Sequence, residues 1–172
     1  PPPPPPPYLM IRRPPRTTPL TCRRQRQMCI RDSDTLVDVG KEFGTVTGRR
    51  RRAGWLDCVM LRQAVRLNSL TELALTKLDI LDGFETIRIC TGYRLDGRLL
   101  EHYPDRSELI ADVEPVYETI PGWGSVLSDK REPGQLPPEA KRFIEIVEAQ
   151  VGVPVKVVGV GAERDDYLVW VS

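Results

Sequence analysis

The sequence predicts an α/β fold with a mixed or mainly parallel sheet and flanking helices, preceded by a tail, and two observations support the fold. Short apolar runs typical of strands alternate along the chain with segments whose apolar residues recur at helical spacing. Glycine, proline and Asp-Gly pairs separate these segments. A Pro/Arg-rich stretch at residues 1–33 shows neither periodicity, so we expect a disordered tail before the folded part.

Residues 1–33 and 34–172 differ sharply in composition. The first segment holds seven of the 25 basic residues, one of the 24 acidic residues and ten of the 17 prolines. The second therefore carries 18 basic and 23 acidic residues, a net charge of −5, which argues against nucleic acid as its partner. The end of the first segment, RQRQMCIRDS, is typical of translated adapter sequence, so we expect this segment to lie outside the natural protein. The alternative is a polyproline ligand for SH3-type domains followed by a basic arm.

The first half of the second segment predicts two helices around an arginine-rich loop. We expect Asp34–Phe43 to end a helix that stops at Gly44, since glycine tolerates the left-handed conformation of a helix C-terminus. The loop then continues to Trp55. A second helix is predicted over Leu56–Leu67, with Asp57 in its first turn, where an acidic side chain suits the helix dipole.

Strands and one further helix are predicted for the remainder. Leu73–Thr76 has the apolar character of a buried strand, and Asp96-Gly97 is a hairpin signal between two strands. A helix is expected to open at Pro137-Pro138, since proline is favoured in a first helical turn. The predicted strands are Leu73–Thr76, Glu85–Tyr93, Arg98–Tyr103, Val155–Val160 and Tyr167–Val171; Pro115–Trp123 is expected to be an extended, proline-bounded segment, and the predicted helix is Glu139–Val151.

The most informative stretch is the loop Gly44–Trp55, with the sequence GTVTGRRRRAGW. Glycine backbones and threonine hydroxyls can approach anionic oxygens closely, and arginine guanidinium groups bind carboxylate or phosphate through two parallel hydrogen bonds. The pattern therefore predicts a loop that holds a polyanionic small molecule, whereas a solvated basic patch or a nucleic-acid contact is the alternative. The candidate residues are Thr45, Val46, Thr47, Gly48, Arg49, Arg50 and Arg51.

Two shorter motifs follow predicted strands. Thr76-Lys77-Leu78-Asp79 matches the (N/T)KxD pattern of GTP-binding proteins, in which the aspartate accepts hydrogen bonds from guanine N1 and the 2-amino group while the lysine stem covers the base. Gly159-Val160-Gly161 lies between the last two predicted strands, where glycine allows a ligand to approach the backbone. Each motif has an ordinary alternative, namely a strand that ends in solvated charges and a strand-ending turn.

The remaining side chains give no catalytic signal. Cys58 and Cys90 lie in apolar runs and are interpreted as reduced core residues, as in a cytoplasmic protein. His102 has no nucleophile near it in the sequence and is interpreted as an exposed hairpin residue. No apolar run is long enough to predict a membrane span, and neither a P-loop nor a G-x-G-x-x-G motif is present.

Together these motifs resemble adenylosuccinate synthetase. The resemblance rests on three strings in the family's order, GKEFGTVTGRRRRAGWLD at 40–57, LTKLDILDG at 75–83 and PVYETIPGW at 115–123. A terminal helix and the turn Gly159–Arg164 follow. The resemblance covers about residues 34–172 and implies the C-terminal portion of that enzyme.

The resemblance implies a GTP-dependent ligase that joins IMP and L-aspartate to form adenylosuccinate on the route to AMP. It implies Mg²⁺ at the phosphates and a homodimer in the full enzyme. By position, Thr45–Arg51 would close on L-aspartate, Arg49 would also contact IMP, and Arg51 would also contact GTP. Lys77, Leu78 and Asp79 would hold guanine from one side, and Gly159–Gly161 from the other.

The sequence also departs from the family's pattern. Val46 and Gly159 stand where many members carry threonine and serine, so two hydroxyl contacts would be absent. The family's catalytic base, catalytic acid and Mg²⁺ ligands lie upstream of the segment that this chain resembles, so we expect no catalytic residue, no metal ligand and no activity in the chain alone. The second hypothesis is a stand-alone protein that binds guanine nucleotide or RNA and docks a partner through its Pro/Arg-rich arm.

Overall fold

The computed structural model describes residues 30–100, 102–104, 109 and 112–170. The helices are α1 Ile30–Val39, α2 Cys58–Asn68 and α3 Pro138–Val151. The strands are β1 Leu56–Asp57, β2 Leu73–Leu75, β3 Thr86–Leu95, β4 Arg98–Leu100, β5 Glu114–Pro121, β6 Val155–Gly159 and β7 Tyr167–Val169. Short 3₁₀ turns occupy Leu78–Leu81 and Pro133–Gln135.

The strands of the described residues form two mixed sheets. In the larger sheet, β5 pairs antiparallel with β3 over residues 86–94, so β1 and β4 pair with different parts of the opposite edge of β3. The smaller sheet has the order β2-β6-β7, in which β2 is parallel and β7 antiparallel to β6. The predicted α/β fold with mixed pairing is confirmed, although the strands divide into two sheets rather than one.

Helix α3 joins the two sheets through one buried apolar cluster. Its predicted stripe is buried in this cluster with Val155 and Val158 of β6 and with Ile87 and Ile89 of β3. Burial of each such side chain contributes about 1.5–3 kcal/mol, so this core fixes the smaller sheet against the larger one. The stripe consists of Ala140, Phe143, Ile144 and Val147.

Helix α1 differs from the prediction at both ends. Residues 30–33, which the sequence analysis assigned to the tail, form its first turn, and Ser33 Oγ donates to the carbonyl oxygen of Ala53 (3.0 Å). The prediction that this helix stops at Gly44 is wrong. It ends at Val39 because Lys41 adopts a left-handed φ of 49°, which places the amide of Glu42 on the carbonyl oxygen of Val37 (2.9 Å).

Helix α2 begins two residues later than predicted because Asp57 is its N-cap rather than a first-turn residue. Asp57 Oδ1 accepts hydrogen bonds from the amides of Val59 and Met60, both at 3.0 Å. Leu56 and Asp57 instead pair with β3 as the short strand β1. The predicted loop and the second helix are therefore separated by a parallel strand contact that the sequence does not reveal.

The later elements agree with the predictions to within a few residues. The hairpin signal Asp96-Gly97 connects β3 and β4 with φ angles of 49° and 79°, as a two-residue hairpin turn requires. Cys58 and Cys90 are free and buried, as expected. None of the three helices in the described ranges combines the length and apolar character needed to span a membrane. Predictions for residues 1–29, 101, 105–108, 110–111 and 171–172 concern residues that the structure does not describe.

Candidate functional site

The arginine-rich stretch forms a small closed loop after α1. Phe43 and Arg50 make an antiparallel bridge, and the amide of Gly44 donates to the carbonyl oxygen of Arg49 (2.8 Å). The amide of Gly48, at a φ of 61°, donates to the carbonyl oxygen of Gly44 (2.8 Å), which turns the chain back. All seven predicted residues are exposed, and Val46 at the tip is 96% exposed. The loop thus exposes threonine and arginine side chains to solvent, while the amides of Gly44 and Gly48 hold its backbone together.

The arginines of this loop have different surroundings. Arg50 forms an ion pair with Asp34 of α1 (2.8 Å) and lies 3.5 Å from Asp38, so it anchors the loop to the helix. Arg51 pairs with Glu42 (3.0 Å). Within the described part of the chain, the guanidinium group of Arg49 has no hydrogen-bonding or ion-pairing partner. Arg49 is therefore the arginine of this loop best placed to bind an external anion.

The second and third motifs lie side by side. Because β2 and β6 are parallel, with Leu75 opposite Val158, the carboxyl ends of both strands meet at one edge of the smaller sheet. A Cβ atom on Gly159 would lie 3.2 Å from Thr76 Cα and 3.4 Å from the amide nitrogen of Lys77. The glycine therefore permits an unusually close approach of the two backbones, which a serine would widen by a few tenths of an ångström.

Asp79 carries an unusual carboxylate. Its Oδ1 is buried and has no hydrogen-bond partner among the described residues, although a buried charged acceptor is normally paired. Burial raises the pKa of Asp79, and the nearby negative charges of Asp82 and Asp166 act in the same direction. An external donor would relieve this cost, so the site is suited to a ligand that presents N–H groups.

The turn after β6 is shaped by Asp166. Its carboxylate accepts a hydrogen bond from the amide of Glu163 (3.0 Å) and pairs with Arg131 (3.1 Å), while its carbonyl oxygen accepts from the amide of Val160 (2.9 Å). A Cβ atom on Gly161 would lie 2.4 Å from Asp166 Oδ2. The side chain of Val160 is fully buried, so only its backbone faces the turn.

Gly161→Ala is expected to destabilise the chain by about 1–3 kcal/mol, because the added methyl group displaces the Asp166 carboxylate and disrupts its bonds to Glu163 and Arg131. Urea unfolding followed by circular dichroism would measure the change. Gly134→Ala is the matched control, because its added Cβ meets no atom within 4 Å. Equal unfolding free energies for both variants would contradict the role assigned to this contact.

Glu42 connects the arginine loop to the Lys77 motif, and the sequence analysis assigned it no role. Its carboxylate binds Arg51 through one oxygen and Lys77 Nζ through the other, while Lys77 Nζ also donates to the carbonyl oxygen of Gly40 (3.1 Å). The Lys77 and Arg51 contacts, in that order, lower the pKa of Glu42. In the sequence, the only indication of a role for Glu42 was its place in the GKEFGTVTG string. Its ion pair with Lys77 could not be predicted, because the two residues are 35 positions apart.

His102 lies away from these motifs. It is exposed, as predicted, but it follows β4 rather than lying within a hairpin strand. It lines a cavity of about 190 Å³ together with side chains of α2, and none of the predicted binding residues contributes to that cavity. The lining residues are Val59, Arg62, Gln63, Arg66, His102 and Tyr103.

Comparison with known proteins decides the family. The family model for adenylosuccinate synthetase matches residues 18–168. The chain belongs to the adenylosuccinate synthetase family. The match starts within the segment 1–33 and includes the arginine loop and both of the motifs at the sheet edge.

Individual adenylosuccinate synthetases are similar to this chain at high identity. The enzyme of Halothermothrix orenii is 49% identical over 133 residues, which cover 77% of this chain and 31% of that protein. The enzyme of Pelobacter propionicus is 47% identical over 138 residues, which cover 80% of this chain and 32% of that protein. The chain thus spans about a third of the length of these adenylosuccinate synthetases.

A solved structure agrees with the fold. The structure described as fully ligated adenylosuccinate synthetase from Plasmodium falciparum superposes with a TM-score of 0.78 at 38% sequence identity. The superposition covers 81% of this chain and 34% of that one. The two-sheet arrangement described above is therefore an adenylosuccinate synthetase arrangement.

Proposed function

We propose that this chain supplies the guanine site and the L-aspartate loop of an adenylosuccinate synthetase, a GTP-dependent ligase that joins IMP and L-aspartate. The observation that carries the proposal is the buried Oδ1 of Asp79, which has no hydrogen-bond partner among residues that the structure describes and lies at the sheet edge where Lys77 and Gly159 meet. Family membership supports the reaction class, and the geometry of the described residues supports the division of labour between the loop and the sheet edge.

Guanine is the base that fits an acceptor-only carboxylate. Its N1–H and 2-amino group are adjacent donors, and Asp79 would accept one hydrogen bond on each oxygen. Adenine has no such pair of donors on the corresponding edge, so it would leave the carboxylate desolvated and unpaired. Sites built to hydrogen-bond a ligand discriminate strongly against analogues that lack the donor. The alkyl stem of Lys77 and the backbone of Gly159–Gly161 would enclose the base from its two faces.

The arginine loop would bind L-aspartate, because a dicarboxylate suits guanidinium groups and threonine hydroxyls. Arg49 would take a carboxylate and also contact IMP, and Arg51 would contact GTP. The hydroxyl groups of Thr45 and Thr47 would supply further donors at the exposed tip, where the amide of Gly48 is held by the carbonyl oxygen of Gly44. Arg50 would hold the loop against α1 through Asp34.

In the proposed reaction, the γ-phosphoryl group of GTP is transferred to the 6-oxygen of IMP. The amino group of L-aspartate then displaces that phosphate, giving adenylosuccinate, GDP and phosphate. This chain would bind the base and orient the amino acid. Among the described residues, no group of three or more His, Cys, Asp or Glu side chains could hold a metal ion, so no ligand of the Mg²⁺ that the family implies is assigned to them.

The test is nucleotide binding by the 172-residue chain, measured by isothermal titration calorimetry. GDP is expected to bind at least about tenfold more tightly than ADP, since one buried charge-assisted hydrogen bond is worth roughly 1.5–3 kcal/mol. Equal affinities, or no binding of GDP, would overturn the guanine site. The chain is further expected to show no IMP- and L-aspartate-dependent cleavage of GTP, and measurable turnover would overturn that part of the proposal.

A further inference from the structure

A single carboxylate links the loop proposed for L-aspartate to the motif proposed for guanine. Glu42 binds Lys77 Nζ with Oε1 and the Arg51 guanidinium group with Oε2 (3.0 Å). Its side chain is 19% exposed, whereas those of Lys77 and Arg51 are 48% and 57% exposed. The carboxylate is thus the partly buried, least exposed member of a three-residue cluster whose cationic ends lie in different motifs.

The backbone strengthens this link. The amide of Arg51 donates to the carbonyl oxygen of Glu42 (2.8 Å), and Lys77 Nζ also donates to the carbonyl oxygen of Gly40. Lys77 holds a left-handed φ of 62°, a conformation that an L-residue rarely adopts without such tethers. Movement of the Lys77 side chain would therefore displace the Glu42 carboxylate and, through it, the two ends of the arginine loop.

We propose that Glu42 is a positioning residue that couples occupancy of the guanine site to the order of the arginine loop. The inference rests on the proposed function, because it assigns the Lys77 stem to the face of the base. A guanine ring packed on the Lys77 stem would fix Nζ on the Glu42 carboxylate. The fixed carboxylate would in turn hold the Arg51 guanidinium group, which closes the arginine loop where its two ends meet. Coupling is reciprocal, so a ligand in the loop would in turn strengthen nucleotide binding.

Substitution of Glu42 tests the coupling between the guanine site and the arginine loop, and a matched control variant tests for general effects on folding. Glu42→Gln leaves two cations beside a neutral amide that cannot neutralise both, so Lys77 and Arg51 would part. Glu42→Asp keeps the negative charge, but its shorter side chain cannot reach both Lys77 and Arg51. It therefore breaks the link between these two residues without a change in net charge. Glu145→Gln, on the exposed face of α3, is the matched control because its partner Arg142 lies in neither motif.

The experiment is hydrogen exchange of the 172-residue chain with and without saturating GDP, read in peptides that cover residues 43–52 and, separately, 75–80 and 158–161. In the unmodified chain and in Glu145→Gln, GDP is expected to slow exchange in all three regions, by about fivefold or more in the loop. In Glu42→Gln and Glu42→Asp, GDP is expected to slow exchange at 75–80 and 158–161 but not at 43–52.

Loop protection by GDP in both Glu42 variants, equal to that of the unmodified chain, would overturn the coupling and leave the guanine site intact. Absence of GDP protection at 43–52 in the unmodified chain, with protection at 75–80 and 158–161, would also overturn it. Absence of GDP binding in the unmodified chain would overturn the proposed function and the coupling together.

Discussion

Asp79→Asn is expected to reverse the base preference of this chain from GDP to xanthosine diphosphate. In the variant, the amide nitrogen faces the 2-amino group of guanine, so two donors oppose each other and GDP affinity is expected to fall by roughly 30- to 100-fold. Xanthine presents a carbonyl oxygen at that position, which accepts from the amide while N1–H donates to the amide oxygen. The preference therefore follows from donor and acceptor identity and not from size.

Calorimetric titrations with GDP, xanthosine diphosphate and ADP would measure this reversal. Asp165→Asn is the control, because Asp165 is an exposed acid in the turn next to the site and carries the same change of charge. If Asp79→Asn and the control keep the same ratio of affinities as the unmodified chain, Asp79 does not contact the base.

The pH dependence of GDP affinity is a second test of the role of Asp79. Burial raises the pKa of Asp79, so its carboxyl group takes up a proton at a higher pH than an exposed aspartate does. Only the ionised form accepts both guanine donors. GDP affinity is therefore expected to fall as the pH decreases through that raised pKa, and in Asp79→Asn residue 79 no longer contributes a titration.

Arg49→Leu is expected to lower kcat/KM for L-aspartate by roughly tenfold or more in a full-length synthetase that carries this loop, for one or two charge-assisted hydrogen bonds lost. The Arg49 guanidinium has no partner among the described residues, so its loss should affect ligand binding rather than the fold. GDP affinity of the 172-residue chain is expected to stay unchanged in the same variant.

Steady-state kinetics at varied L-aspartate would measure the effect of Arg49→Leu. Arg142→Leu is the matched control, because Arg142 is an exposed arginine on α3 whose contact with Glu145 lies in neither motif. Unchanged kinetics in Arg49→Leu would remove this arginine from the L-aspartate site, and a loss of equal size in the control would point to a general effect of charge.

Local chemistry was enough to predict many elements of the chain. The Asp96-Gly97 turn, the proline start and glycine end of α3, and the apolar stripe of that helix each depend on residues close together in the sequence, and each occurs where expected. The two motifs at the ends of β2 and β6 were expected to share one ligand only because of the family resemblance, since the parallel pairing of these strands joins residues about 80 positions apart.

Long-range packing decided what the sequence did not. The strands divide into two sheets whose residues share one buried cluster with α3, and α1 ends at Val39 because Lys41 is held in a left-handed conformation. The sequence does not distinguish the four consecutive arginines. In the structure, Arg50 forms an ion pair with Asp34 of α1 and Arg51 forms one with Glu42. By itself the sequence determined the approximate positions of most elements and the residue types of the candidate site, since these follow from local periodicity and donor chemistry. Only the tertiary structure decided that Glu42 joins the two motifs and that Asp79 keeps an oxygen with no partner in the described part of the chain, because ion pairing and burial depend on which distant side chains the fold brings together.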